Sequence, residues 1–235
     1  MFQFKQFSVK QDKTAMKVGT DGVLLGSWAP VDHNPFSVLD IGAGTGIIAL
    51  MLAQRTHAEQ IDALEIDEDA YEQAVENFDA SPWGDRLFCF HAGLDEFIDE
   101  PEDEYDLIVS NPPFYAEDYK TENEQRDLAR FQDAMPFEEL VEAADLLLSE
   151  NGIFALIIPF KEEQKFIALA KEAELYPLKI TRVKGTPKSE IKRSLLAFSR
   201  NEVAEIETNE LVIEIDRHVY TPEYIELTKD FYLKM

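Results

Sequence analysis

The chain has 235 residues, of which 45% are hydrophobic, and its formal net charge is −25. This composition argues against a disordered chain, and the single cysteine, Cys89, excludes a disulfide framework and a multi-cysteine zinc site. Cys89 lies in an apolar run and is expected to be a small buried core residue. The sequence has no signal-peptide stretch and no apolar window as long as a membrane span, which predicts a soluble cytoplasmic protein without a membrane partner.

Positive charge is concentrated in two short parts of this acidic chain. Residues 1–20 hold four lysines, and residues 179–193 hold four lysines and two arginines. The overall charge disfavours indiscriminate binding to nucleic acids, because neutralising phosphates requires lysine and arginine. The two basic segments can still form a local phosphate-binding face, with Lys184 and Lys188 as candidate substrate contacts. The alternative is a set of solvated lysines on strands and loops.

The N-terminal 35 residues contain an aromatic segment and then a turn bounded by glycines. Gly19 and Gly22 flank Thr20 and Asp21, which predicts a turn that opens a short apolar helix with Thr20 or Asp21 as its cap. An exposed helix start of this kind can hold a small anion such as a carboxylate. The simpler interpretation is a well-capped helix packed beneath the first strand.

Strand and helix signals then alternate, which predicts an α/β fold with a mostly parallel central sheet, helices on both faces and an antiparallel strand near the C-terminus. We predict one domain over residues 1–235, in which residues 1–35 are an N-terminal extension and residues 36–235 are the core. The predicted strands cover residues 36–41, 61–66, 86–91, 105–110, 152–159, 178–183, 194–198 and 211–215. The predicted helices cover residues 47–53, 70–78, a short acidic stretch before 105, 136–148, 161–175 and 222–233, and residues 116–133 are expected to form a mobile loop.

A glycine-rich loop follows the first strand of this core. Gly42, Gly44 and Gly46 are spaced as Gly-x-Gly-x-Gly, and glycine lets the backbone approach a ligand closely. The spacing is one residue tighter than the Gly-x-Gly-x-x-Gly fingerprint of dinucleotide sites, which counts against NAD or FAD. Glu65 stands at the end of the second strand, where a carboxylate can accept hydrogen bonds from both hydroxyls of a ribose.

The segment Ser-Asn-Pro-Pro-Phe-Tyr at residues 110–115 follows another buried strand. Ligands of open parallel sheets bind at the carboxyl ends of the strands. The amide oxygen of Asn111 is an acceptor, the prolines offer carbonyls without competing donors, and Phe114 offers a flat apolar face. Such a site suits a planar group that carries an NH2. From these six residues alone, a proline-rich turn that ends a strand is the alternative.

The glycine loop, Glu65 and the Asn-Pro-Pro-Phe segment together resemble a class I S-adenosylmethionine-dependent methyltransferase, a family with a Rossmann-like fold. The Asn-Pro-Pro-Phe version of its motif is similar to that of enzymes that methylate amino groups conjugated to a planar π-system. The resemblance implies that S-adenosylmethionine is the cofactor, that Glu65 holds its ribose and that Asp40 supports its amino-acid end. The cofactor-binding residues that we expect on this basis are Lys17, Thr20, Asp40, Gly42, Gly44, Gly46, Glu65 and Asn111.

The resemblance also implies a catalytic group made of Asn111, Pro112 and Phe114. The side-chain oxygen of Asn111 and the carbonyl of Pro112 would each accept one N–H of the acceptor amine, and Phe114 would stack on the base. Pro113 and Tyr115 are expected to line the substrate pocket. No strong base is required, because the cofactor already carries an electrophilic methyl group.

This chain departs from the family pattern after the third strand. The family usually places an aspartate there to hold the adenine amine of the cofactor. Here Gly93 occupies that position and Asp95 comes two residues later. Backbone groups near Ala92 and Gly93 are the alternative adenine contacts.

Adenine in DNA, adenine or guanine in RNA, and a glutamine amide of a protein all suit such a site, and chain length separates them. Because only 39 residues precede Asp40, we expect no helical domain of the kind found in release-factor methyltransferases, and we expect no large target-recognition domain after the core. A compact RNA adenine methyltransferase remains. Residues 4–7, 16–28 and 81–83 resemble a family of bacterial tRNA adenine-N6 methyltransferases, which implies that the acceptor is adenine 37 of a valine tRNA. The loop 116–133, with Arg126 and Arg130, would then close over the base.

Three alternatives stay open at this point. The chain can methylate another RNA base or a protein glutamine amide, or it can be a cofactor-binding RNA-assembly factor without catalysis. The four histidines, at positions 33, 57, 91 and 218, have no metal-ligand spacing, so we expect no metal.

Overall fold

The structure is a computed structural model, and it describes residues 1–99, 104–113 and 135–234. Strands and helices are numbered in chain order within these residues. The strands are β1 (Phe2–Gln3), β2 (Ser8–Val9), β3 (Ser37–Ile41), β4 (Gln60–Glu65), β5 (Leu87–His91), β6 (Tyr105–Ser110), β7 (Leu148–Pro159), β8 (Tyr176–Lys184), β9 (Ile191–Ser199), β10 (Glu207–Val212), β11 (Glu214–Asp216) and β12 (Val219–Tyr220). The helices are α1 (Thr20–Trp28), α2 (Ile47–Arg55), α3 (Glu68–Asp79), α4 (Leu94–Ile98), α5 (Phe137–Leu147), α6 (Glu163–Glu172) and α7 (Pro222–Thr228), with a short 3-10 turn at Phe160–Glu162.

The main sheet has eight strands in the order β10-β8-β9-β7-β6-β3-β4-β5. Strand β9 runs antiparallel to β7 and β8, and every other neighbouring pair in this sheet is parallel. The predicted fold class, a mostly parallel sheet with an antiparallel strand near the C-terminus, is confirmed. The order reverses between β3 and β6, since β4 and β5 follow β3 on one side while β6 and β7 lie on the other.

Apolar side chains cover both faces of this sheet. Central strands are buried on both sides and are therefore mostly apolar, as β3 and β6 are, although β3 also buries Asp40. One face packs against α1, α2, α3 and α7, and the opposite face packs against α4, α5 and α6. The helices thus lie on both faces, as predicted. No helix in the described part of the chain has the length and apolar content needed to cross a bilayer.

The N-terminal residues form a small hairpin that was not predicted from the sequence. Strands β1 and β2 pair antiparallel, and Phe4 forms an isolated bridge to Tyr232. The ring of Phe4 stacks on that of Phe7 at 4.8 Å, and Phe7 meets the edge of Trp83 at 5.9 Å. Aromatic packing therefore attaches both ends of the chain to the core.

Several predictions about local structure were wrong. The cap of α1 is Gly19, with no side-chain hydrogen bond, rather than Thr20 or Asp21. The helix predicted over residues 161–175 begins with the 3-10 turn and ends by Glu174, whose φ of 55° is incompatible with a continuing helix. Cys89 is half-buried rather than fully buried.

Two predictions near the C-terminus were also wrong. The strand predicted over residues 211–215 is divided, because the chain leaves the main sheet after β10 and forms the hairpin β11–β12. The last helix ends at Thr228 rather than 233. The predicted loop at 116–133 lies outside the described residues.

Candidate active site

The candidate site lies where the strand order reverses. Strand β3 pairs with β4 on one side and with β6 on the other, and all three are parallel. Their carboxyl ends therefore meet at one edge of the sheet, followed by Gly42, Ile66 and Asn111. Open α/β sheets bind ligands at such a reversal point.

The glycine loop turns sharply at this edge. Gly42, Gly44 and Gly46 have φ of 75°, 57° and 74°, a region that favours glycine. Apart from the neighbouring residues in the chain, no atom of the described residues lies within 4 Å of the position that a Cβ would take at Gly42 or Gly44, so the described part of the chain leaves their outer faces open. Gly46 differs, because a Cβ there would lie 2.4 Å from Phe78. Close packing against α3 is therefore a sufficient reason for glycine at that position.

Glu65 is joined to this loop. Its carboxylate accepts hydrogen bonds from the backbone N–H of Gly44 at 2.7 Å and of Asp67 at 3.0 Å. Burial raises the pKa of Glu65, and these two hydrogen bonds oppose that rise. The structure thus brings together the glycine loop and the carboxylate that the sequence placed at the next strand end.

Asp40 lies behind the loop and is fully buried. Its Oδ2 accepts the N–H of Ala49 in α2 at 3.1 Å, while its Oδ1 is a buried acceptor that receives no hydrogen bond from the described residues. Burial raises the pKa of Asp40 to about 7, and the nearby charge of Glu65 adds to this rise. The side chain connects the strand before the glycine loop to the helix after it.

Helix α1 approaches the start of α2 closely. A Cβ at Gly22 would lie 3.2 Å from Ile47, the residue that follows Gly46, and a Cβ at Gly26 would lie 2.7 Å from Sδ of Met51. Because these two glycines lie four residues apart on one face of α1, the backbone of α1 can pack directly against side chains of α2. The start of α1 therefore lies beside the glycine loop, and the candidate cofactor residues Lys17 and Thr20 are exposed there.

The Asn-Pro-Pro segment follows β6 next to the loop. The Oγ of Ser110 donates to the carbonyl of Ile41 at 2.9 Å, which fastens the end of β6 to the end of β3. Pro112 is buried, and Asn111 and Pro113 are half-buried. Phe114 and Tyr115, together with Arg126 and Arg130, lie outside the described residues.

Gly93 stands where the family usually has an aspartate, and the side chain of Asp95 lies beside it. A Cβ at Gly93 would lie 2.5 Å from Oδ1 of Asp95 and 3.6 Å from Cδ1 of Ile66. The carboxylate of Asp95 thus folds back into the space that a side chain at position 93 would use. Ile66, which follows Glu65, is 66% exposed beside it.

Most cations of the basic segment 179–193 form ion pairs. Lys184 pairs with Glu210 at 2.9 Å, and Lys179 pairs with Glu207 at 3.3 Å. Lys188 is exposed in the turn between β8 and β9. This turn faces the same edge of the sheet as the glycine loop, since β8 ends and β9 begins there.

Asn77 is a site residue that was missed in the sequence. Its Nδ2 donates to the carbonyls of Thr45 in the glycine loop and of Lys10, and its Oδ1 accepts the N–H of Lys10 at 2.8 Å. Gln73, one turn earlier, accepts the N–H groups of residues 12 and 13 at 3.0 and 3.1 Å. Both are buried polar side chains on the apolar face of α3, a pattern that was visible in the sequence.

Comparison with known proteins agrees with this geometry. The family described as methyltransferase small domain matches residues 23–172. A protein of Flavobacterium johnsoniae named tRNA1(Val) (adenine(37)-N6)-methyltransferase is 92% identical over 235 residues, 100% of both chains. A protein of the same name from Flavobacterium psychrophilum is 78% identical, again over 100% of both chains.

Solved structures share the fold. A protein described as a predicted O-methyltransferase from Agrobacterium tumefaciens superimposes with a TM-score of 0.71 at 19% identity, over 90% of this chain and 96% of that one. At this identity the similarity concerns the fold alone. The resemblance of the sequence to class I methyltransferases is confirmed by the family match and the close relatives. The chain therefore belongs to the methyltransferase small domain family and, within it, to the family of the tRNA1(Val) (adenine(37)-N6)-methyltransferases.

Proposed function

We propose that this protein transfers a methyl group from S-adenosylmethionine to the exocyclic N6 amine of adenine 37 in a valine tRNA, and that it acts in the cytoplasm. The observation that carries this proposal is the meeting of three strand ends at one edge of the sheet. There Gly44 is hydrogen-bonded to Glu65, and Ser110 fastens the Asn-Pro-Pro segment to the strand before the glycine loop. Full-length relatives at 92% and 78% identity, both named for this reaction, support the choice of substrate.

The residues at this edge fit the cofactor. The open outer faces of Gly42 and Gly44 leave room for a ligand against the backbone, and the carboxylate of Glu65 can accept hydrogen bonds from ribose hydroxyls. The start of α1, with Lys17 and Thr20, suits the carboxylate of its amino-acid part. The buried Oδ1 of Asp40 is a spare acceptor behind the loop. When bound, S-adenosylmethionine supplies an electrophilic methyl group on a sulfonium.

The Asn-Pro-Pro segment would activate the acceptor amine. An aromatic NH2 is a weak nucleophile because its lone pair is delocalised into the ring. If Oδ1 of Asn111 and the carbonyl of Pro112 each accept one N–H, the nitrogen becomes more tetrahedral and its lone pair is directed at the methyl group. The same two oxygens then stabilise the positive charge that develops on nitrogen, an electrostatic effect of preorganised dipoles. The surplus proton passes to water, so no strong base is needed.

The remaining substrate contacts position the base and the RNA. Phe114 would stack on the adenine, and Pro113 and Tyr115 would line the pocket. Lys188 would contact phosphates of the stem, and Lys184 would contact them by leaving its ion pair with Glu210. An adenine in an anticodon loop is unpaired, so moving it into the pocket costs less than opening a duplex.

Nucleoside analysis tests the proposal directly. The protein is incubated with labelled S-adenosylmethionine and a transcript of valine tRNA, and the digested RNA is separated. We expect N6-methyladenosine from the natural sequence and no label from a transcript with guanine at position 37, which has no N6 amine. Label that persists in the guanine transcript, or that appears in a different nucleoside, would overturn the assignment.

A further inference from the structure

An aromatic ring and an arginine lie side by side near the candidate site, apart from the residues of the proposed cofactor and substrate contacts. Phe160 directly follows β7 and is 37% exposed. The guanidinium carbon of Arg182, on β8, lies 5.7 Å from the centroid of its ring. This distance falls within the range of a cation–π contact. We refer to these two side chains as the Phe160–Arg182 pair.

The guanidinium of Arg182 is held in a fixed orientation. Its Nη2 donates to Oε1 of Glu163 at 2.7 Å, and its Nε lies 3.1 Å from Oε2 of the same carboxylate. Glu163 is only 1% exposed and also accepts the hydroxyl of Ser194 at 2.6 Å. Burial opposes ionisation of Glu163, but the hydrogen bonds from Arg182 and Ser194 outweigh it and hold its pKa below the usual range. A bidentate pair of this kind fixes the plane of the guanidinium and neutralises its charge.

The pair lies at the same edge of the sheet as the glycine loop. Strands β6 and β7 are parallel, and Phe160 stands four residues past Leu156, which pairs with Ser110. Pro159 pairs with Arg193 on β9. Arg193 in turn donates to Asp21 in the first turn of α1 at 2.8 Å, and α1 begins beside the glycine loop. A continuous set of contacts thus joins the Phe160–Arg182 pair to the proposed cofactor site.

We propose that the Phe160–Arg182 pair is a stacking site for one unpaired nucleobase of the RNA substrate, a base other than the adenine that is methylated. The inference rests on the proposed function, because it takes RNA as the substrate. An exposed ring and a planar guanidinium are the two side-chain surfaces on which unpaired bases stack. One exposed ring is far smaller than the interface that a protein partner requires.

The charges around the pair favour RNA as the occupant. Because Glu163 neutralises Arg182, the pair recognises a base by its flat face and not a phosphate by its charge. Phosphate attraction comes from Lys188 and Lys192, which are exposed and form no ion pair with any residue in the described ranges. Lys188 lies in the turn between β8 and β9 and Lys192 at the start of β9, with the carboxylate of Glu190 between them. On a chain with a net charge of −25, these two lysines make this end of the sheet a local site for the RNA backbone.

The test combines a protein variant with abasic RNA. An anticodon stem-loop of valine tRNA is prepared intact and with an abasic residue at each loop position in turn, and binding to the wild type and to Phe160→Ala is measured. We expect Phe160→Ala to weaken binding of the intact RNA about tenfold, the loss typical of one stacked base. At one loop position other than 37, the abasic RNA should bind the wild type equally weakly and should show no further loss with the variant. Loss of the Phe160 effect at position 37 alone would assign the ring to the methylated adenine and overturn the inference. Phe160→Tyr, which keeps the ring, should bind as the wild type does.

Phe36→Ala is the matched control. Phe36 is 58% exposed and precedes β3, so it lies at the opposite edge of the sheet, and its loss should leave RNA binding unchanged. Calorimetry with S-adenosylhomocysteine shows that each variant is folded and binds cofactor. The inference would be overturned if Phe160→Ala bound RNA as tightly as the wild type does, or if the losses from the variant and from the abasic RNA added at every loop position. In either case, methylation of the tRNA by the wild type would leave the proposed function standing. A wild type that binds no tRNA would overturn both.

Discussion

Asp40 is a fully buried carboxylate, and its burial gives it an unusual dependence on pH. Because folding raises its pKa from 3.8 to about 7, the folded chain binds one more proton than the unfolded chain between these two pH values. Its contribution to stability is therefore full below about pH 4 and is lost as the pH rises through about 7. An aspartate in a salt bridge behaves in the opposite way, because its contribution to stability is lost as the pH falls.

The Asp40→Asn variant should remove this dependence. Asparagine keeps an oxygen that can accept the N–H of Ala49, but it cannot ionise. The wild type loses this contribution as the pH rises, and the variant does not. We therefore expect the free energy of unfolding of Asp40→Asn minus that of the wild type, measured by urea denaturation, to increase between about pH 4 and pH 8. Asp85→Asn, at an exposed position, is the control and should show no such trend. A constant difference between Asp40→Asn and the wild type across this range would contradict a raised pKa for the Asp40 carboxyl.

Residues of the site differ in how far sequence alone could place them. Glu65 ends a buried strand, and Gly44 and Asn111 follow two others. Parallel strands bring such positions to one edge, so their proximity was predictable. The hydrogen bonds of Asn77 to Thr45 and Lys10 join three distant parts of the chain. No local pattern specifies such partners, which depend on how α3 packs.

The packing of α1 on α2 can be tested at Gly26. A Cβ there would lie 2.7 Å from Sδ and 2.9 Å from Cβ of Met51, which is fully buried. Overpacking of this kind costs about 1–3 kcal/mol, and the better helix propensity of alanine offsets about 1 kcal/mol. We expect Gly26→Ala to lower the unfolding free energy by about 1 kcal/mol in urea denaturation. Gly185→Ala should have little effect, because its Cβ would meet no atom nearer than 3.8 Å. Equal stability of the two variants would show that α1 and α2 leave room for a methyl group between them.

Long elements were easier to predict than short ones. The core strands β3 and β6 and the second half of β7 are mostly apolar on both faces, so they are visible in the sequence. The hairpins β1–β2 and β11–β12 have strands of two or three residues, too few to show an alternating pattern. The predicted cap of α1 was wrong for a tertiary reason, since the carboxylate of Asp21 is bound by Arg193 from β9.

The charge of −25 affects the molecule as a whole. Like charges repel one another more in the compact state than in the unfolded chain, and salt screens this repulsion. Exposed ion pairs, such as those of Lys13 with Glu72 and Glu76, are also screened, but each contributes little to stability. We expect the melting temperature to rise by a few degrees when sodium chloride is increased from about 0.02 to about 0.3 M. A falling melting temperature would mean that ion pairs outweigh the general repulsion.

The same charge distribution bears on substrate binding. In the basic segment 179–193, Arg182, Lys184 and Arg193 are engaged by carboxylates of the protein itself, and Lys188 and Lys192 are exposed and pair with no described residue. Recognition of tRNA must then depend on shape and on unpaired bases more than on total charge. This is consistent with a compact enzyme that acts on a single loop.

The central claim is that the Asn-Pro-Pro segment at the end of β6 transfers the methyl group while the glycine loop and Glu65 hold the cofactor. Asn111→Ala tests it most directly, with Asn201→Ala, in the exposed turn after β9, as the control. Transfer to valine tRNA should fall about 100-fold or more in Asn111→Ala, the loss typical of a preorganised polar contact. Because Asn111 is only one of the expected cofactor contacts, the affinity of this variant for S-adenosylhomocysteine, measured by calorimetry, should fall far less than its transfer activity, and Asn201→Ala should be normal in both. Retained transfer in Asn111→Ala, or a loss matched by an equal loss of cofactor affinity, would contradict this division of roles.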